Sequence, residues 1–179
     1  MRRATGATAL AVGDVDGSRG PDVVVLSSTD DAARVLLNQG SGELVLDTAR
    51  YAGGRLLFGL AVAPLQPGAL DLILASAADD RLDLLSSEGG TRWSRVRTVQ
   101  PTELTTPVAV TVADVNADRR PDLIIPSHNN DHVLVLQNDG SYQFNGIGPG
   151  SYQIRLVCQD GWTLTTGAVV AFPMTSGLQ

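Results

Sequence analysis

DVNADRRPDLIIP, residues 114–126, places three carboxylates and one carboxamide in its first nine positions and then turns at once into an apolar run. An isolated turn of this kind would be an electrostatic liability. Its meaning comes from two other places in the chain. The stretch DVDGSRGPDVVVL at 14–26 has nearly the same layout, and APLQPGALDLILA at 63–75 keeps its last aspartate and the apolar run.

Aligning Asp22, Asp71 and Asp122, which stand 49 and 51 residues apart, brings three segments into register. VVVL, LILA and LIIP follow the aspartates, and then come the polar pairs Asp30-Asp31, Asp79-Asp80 and Asn130-Asp131. Such pairs are turn material. A second apolar run follows, as RVLLN, DLLSS and LVLQN, and leads to Gly40, Gly89 and Gly140. Four residues beyond each glycine stands Leu44, Trp93 or Phe144, and upstream of the aspartates lie ALAV, FGLAVA and VAVTVA. Internal repetition at a fixed period of this size is the mark of a repeat architecture.

Each unit therefore holds about four short extended segments separated by turns, which points to antiparallel β structure. The segment DDAARVLLN could be taken for a helix. Its counterpart NDHVLVLQN alternates clearly, however, so all three are predicted hairpins. Four antiparallel strands in about 50 residues are what one blade of a β-propeller requires. The expectation is an all-β chain of three four-stranded propeller-type blades, at 8–54, 55–105 and 106–145, plus a short β tail. Three blades fall short of the roughly four needed for closure, so the array is incomplete or open, and its bare ends favour self-association or membership of a longer chain.

The acidic turns point to a cation. Oxygen-bearing side chains alternate along both: Asp14, Asp16, Ser18 and Asp22 in the first, Asp114, Asn116, Asp118 and Asp122 in the third. Calcium takes six to eight oxygen ligands from carboxylates, amides and carbonyls of a loop wound around it, and the carbonyls of Gly20 and Arg120 are candidate further ligands. Without an ion the carboxylates repel one another. The third turn keeps the fuller ligand set and is the better expected site. The second keeps only Asp71 and is expected to bind no metal. An EF-hand is excluded, because its twelfth position must be acidic and here holds Val25 and Ile125. The alternative for both turns is a solvated β-turn capped by its own side chains.

This pattern resembles the FG-GAP/VCBS repeat of integrin-α-like β-propellers and of many exported bacterial proteins. The resemblance covers residues 8–145, taken here as the repeat domain 1–145. It implies a calcium loop between the first two strands of each blade. Two positions depart from the family. Arg19 and Arg119 stand where it has glycine, and Ser18 stands where it has aspartate. From Tyr142 onward, Phe144, Gly146, Pro149-Gly150, Tyr152, Arg155 and Gly161-Trp162 resemble the closing strands of a Cna-B or SdrD-B-type prealbumin-like domain. The tail, 146–179, is expected to hold strands near 151–158, 162–165 and 167–172, either as a sandwich edge or as strands on the last blade.

Composition limits what the chain can do. It has 179 residues, 43% of them hydrophobic, and a net charge of −6 without a basic stripe, so nucleic acid is not an expected partner. Its apolar stretches are far shorter than the roughly 20 residues of a membrane helix. MRRATGATAL lacks the apolar core of a secretory signal. Cys158 is the only cysteine and reads as a buried strand residue. His128 and His132 have no counterparts in the other two units, and they read as solvated turn residues rather than an acid/base pair. The functional expectation is a non-enzymatic, calcium-stabilised repeat segment of an extracellular or cell-surface protein, engaging a protein or carbohydrate ligand. The alternative is a propeller part of a secreted polysaccharide-active enzyme of the lyase type.

Overall fold

Every apolar run of the repeat becomes an extended segment, and each polar pair becomes the turn between two of them. The computed structural model describes residues 6–65, 70–138, 151–156 and 170–173. The first sheet contains β1 (Ala7–Gly13), β2 (Asp22–Ser27), β3 (Ala32–Asn38) and β4 (Leu44–Leu46), with the two-residue β5 (Tyr51–Ala52) also paired to β3. In the second, β6 (Leu57–Ala63), β7 (Asp71–Ser76), β8 (Arg81–Gly89) and β9 (Arg92–Val99) follow in order. The third comprises β10 (Thr111–Ala113), β11 (Asp122–Ser127), β12 (His132–Leu136), β13 (Ser151–Leu156) and β14 (Val170–Pro173). All pairings are antiparallel.

The all-β expectation and the three hairpins hold, with one helical turn, His128–Asn130, between β11 and β12. Two details differ from four strands per unit. β5 adds a fifth strand to the first sheet, and the third sheet is extended by tail strands β13 and β14. The predicted strand around Phe144, the one at 162–165 and Cys158 lie outside the described residues. The hairpin turns owe their residues to backbone geometry. Asp31, Asp80 and Asp131 adopt φ of 46°, 50° and 55°, a left-handed conformation that aspartate tolerates better than most residues.

Strand alternation gives each sheet two apolar faces, and consecutive sheets stack on them. The first and second sheets enclose Val24, Leu26, Val35, Leu60, Leu72 and Leu74, while the second and third enclose Ile73, Leu82, Leu84, Leu123, Ile125 and Leu134. Each fully buried side chain of this size contributes about 1.5–3 kcal/mol. β6 is the central strand of the stack, lying against β1 and β2 on one side and β10 on the other. There Gly59 permits a close approach, since a Cβ on it would lie 2.7 Å from Ala75 Cβ and 2.8 Å from the Ala109 carbonyl carbon.

Polar groups tie the outer part of the first junction. Tyr51 and Trp93 pack edge to face with ring centroids 5.0 Å apart. Tyr51 donates its hydroxyl to the Thr91 carbonyl, and Trp93 donates its indole N–H to Leu70 O at 2.7 Å. Burial, reinforced by nearby Asp47, pushes the Tyr51 hydroxyl above its usual pKa. Burial acts to raise Asp47 too, but bonds from the Thr91 side chain and the Thr48 and Ala49 amides outweigh it and hold that carboxyl below its usual value.

Candidate metal centre

The first acidic loop joins β1 to β2, and its last residue is its anchor. Asp22 opens β2 and is fully buried. Its Oδ2 accepts the Val15 N–H at 2.9 Å and its Oδ1 the Asn38 N–H at 2.8 Å. One carboxylate thus fixes the start of the loop and the end of β3. Asp122 repeats the arrangement, accepting from Val115 N at 3.0 Å and Asn138 N at 2.8 Å. These are charge-assisted bonds out of water, the stronger kind.

The second unit departs for a reason visible in the strand register. Ala63 faces Asp71 as Gly13 faces Asp22 and Ala113 faces Asp122. The second loop is thus one residue shorter, with Pro64 at the place of Asp14 and Asp114. Leu65 spends its amide on Ala63 O at 3.0 Å, and Asp71 instead takes the Ser86 hydroxyl at 2.8 Å.

In the first loop the carboxylates of Asp14, Asp16 and Asp22 converge, each offering an oxygen within 4.8 Å of the others. The backbone coils to allow this, with Gly17, Arg19 and Gly20 at φ of 73°, 61° and 97°. Asp16 Oδ1 accepts the Ser18 amide at 2.8 Å. The Arg19 guanidinium turns outward and donates to Gln39 Oε1 at 2.7 Å. The donor set is all oxygen and predominantly anionic, which fits a hard cation such as calcium.

The third loop has the same backbone, with Ala117 and Arg119 at φ of 62° and 70°, but uses its oxygens internally. Asp114 accepts from Asp118 N at 3.2 Å and Arg119 N at 2.8 Å. Asp118 accepts from Arg120 N at 2.8 Å and from the Asn116 amide group at 3.0 Å, and Asn116 Oδ1 accepts Asp118 N at 3.0 Å. Among the described residues, Asp114, Asp118 and Asp122 do not gather as the first set does. The ranking of the two turns by ligand inventory is therefore not the ranking by geometry.

Asp14, Asp16 and Gly17 form one wall of a cleft of about 570 Å³ whose other wall includes Pro64, Leu70, Ser87 and Gly89 of the second unit. The loop thus sits at the junction of two units. His128 and His132 are exposed.

Two recurrent partners escaped the sequence reading. Ser27, Ser76 and Ser127 are buried at one repeat position. Ser76 donates to Arg55 O at 2.7 Å and Ser127 to Thr105 O at 2.9 Å, securing the segment that enters each sheet. Their signal was the serine closing SS, AS and PS, five residues after each aligned aspartate. Asn38 and Asn138, the other pair, end the second apolar run.

A family model described as an FG-GAP-like repeat matches residues 68–125, from the end of the second loop through the second sheet to β11 and including the third acidic loop. No curated protein and no solved structure matches the chain. Among the described residues no helix is long and apolar enough to cross a membrane.

Proposed function

We propose that the chain is a calcium-stabilised array of β-propeller-type blades from an exported or cell-surface protein, serving adhesion, ligand binding or assembly and not catalysis. The observation that carries this reading is the convergence of Asp14, Asp16 and Asp22 in a loop that joins the first two strands of a repeated sheet. Supporting it are the meandering sheets stacked in chain order and the FG-GAP-like match to the second unit and the start of the third. Asp14, Asp16 and Asp22 would hold the ion, with Ser18 and the Gly20 carbonyl completing the set. A bound calcium neutralises the like charge of the loop and fixes its coil at the edge of the inter-unit cleft. The third loop, with Asp114, Asn116, Asp118, Asp122 and the Arg120 carbonyl, is a second and weaker candidate.

Thermal melts in chelator and in calcium test this. Ligand at a hundredfold excess over Kd stabilises by about 2.7 kcal/mol, which for a domain of this size raises Tm by roughly 5–10 °C. Asp14→Ala should abolish most of the rise and Asp114→Ala little of it. Equal melting in chelator and calcium rejects the metal reading.

A further inference from the structure

The sheets stack through one junction used twice, and its two halves can be matched residue by residue. Val12, Val62 and Val112 hold one position, each paired with the residue after the aligned aspartate, namely Val23, Leu72 and Leu123. Two residues earlier stand Leu10, Leu60 and Val110. Leu60 packs against the first sheet and Val110 against the second, both 7% exposed, whereas Leu10 is 67% exposed. The first sheet thus bears a complete receiving face with no sheet upon it.

The delivering half shows the complementary difference. Val15 and Leu65 pack onto the sheet that follows theirs and are 7% exposed, but Val115, at the same position in the third unit, is 48% exposed. On that face of the third sheet Thr111 and Ala113 are exposed, and Ile124 and Val133 are half-buried. Each half of the internal junction is therefore left over once, at opposite ends of the stack.

We propose that the receiving face of the first sheet binds the delivering face of the third sheet in a second copy of this chain, continuing the stack head to tail. The two internal junctions show what this face fits, namely an antiparallel sheet of the same repeat, and the chain carries the matching surface. Contiguous exposed apolar positions mark association surfaces, and unlike faces meeting between copies form a heterologous contact. The charged residue on the receiving face, Arg34, is paired with Asp30 at 3.1 Å. Its counterpart in the second sheet, Asp83, is buried in the internal junction beside Arg81 and Arg95 at 3.4 and 3.5 Å, so paired charge is compatible with the junction there. The inference rests on the blade-type stacking of the proposed function and not on the metal.

Sedimentation velocity of the full chain over a wide concentration range, in chelator and in calcium, tests it. Wild type should self-associate in both. Leu10→Arg/Val12→Arg and Val115→Arg should each be monomeric, and mixing them should restore a dimer, because each retains the face that the other lacks. Leu56→Arg, in the turn before β6, should associate as wild type does. A monomeric wild type, variants that associate unchanged, a mixture that stays monomeric, or dissociation by Leu56→Arg would each overturn the proposal. If the double variant melts early, Val12→Lys alone carries the same test. Failure of the metal reading is seen separately, as a melt of monomeric Val115→Arg that calcium does not move.

Discussion

Asp122 Oδ1 accepts the backbone N–H of Asn138 at 2.8 Å, tying the residue that opens β11 to the chain just beyond β12. The second oxygen holds the start of the acidic loop through Val115 N. Replacing Asp122 with Asn leaves one acceptor and sets an N–H against an N–H, with no water to relieve it. Asp122→Asn should lose about 1–3 kcal/mol in urea unfolding measured in chelator. Asp114→Asn, on an exposed side chain, should lose less than about 0.5 kcal/mol.

The left-handed positions of the loops give a second expectation. A non-glycine residue there costs about 1–2 kcal/mol, offset in part by the greater freedom glycine has when unfolded. Ala117, at φ 62°, stands where the first loop has Gly17, at φ 73°. Ala117→Gly and Arg119→Gly should each raise stability by about 0.5–1 kcal/mol, and Gly17→Ala should lower it by a similar amount, all read from thermal melts.

Gly59 tests the stacking of the second and third sheets. Backbone of Ala109 blocks its Cβ direction at 2.8 Å, so the neighbour cannot yield by a rotamer change. Gly59→Ala should destabilise by about 1–3 kcal/mol, as overpacking does, and Gly42→Ala should not introduce a clash, having open space around it.

The Arg55 amide and guanidinium, each bonded to Asp79 at 2.9 Å, hold that carboxyl below its usual value. Because the folded pKa is depressed, the contribution is present above the unfolded value of about 3.9 and is lost as pH falls through the folded value. Asp79→Asn should therefore be less stable than wild type at neutral pH, and the gap should close in acid. A gap that persists unchanged at low pH would assign the loss to packing.

Much of this was legible because local chemistry repeats. Asp31, Asp80 and Asp131 announced their turns, since their backbone requires a residue tolerant of positive φ, and the apolar runs announced the strands that they became. The clamp made by Asp22 and Asp122 was less visible. An aspartate in an acidic turn reads as a metal ligand, and only tertiary structure shows both its oxygens accepting backbone amides. Nor could inventory separate the two loops. Asp118 adds a carboxylate that Ser18 lacks, yet Asp118 turns to Arg120 N and Asn116, while Asp14 and Asp16 converge with Asp22. The pairing of β13 to β12 joins segments separated by the chain beyond Leu136 and could not be fixed by local pattern.

Calcium titration by calorimetry, on wild type, Asp16→Ala and Asp118→Ala, measures the central claim most directly. Wild type should bind calcium with a strong site that Asp16→Ala eliminates and Asp118→Ala leaves intact. Absence of calcium binding to the wild type, or a strong site that survives Asp16→Ala and disappears with Asp118→Ala, would contradict the assignment to the first loop.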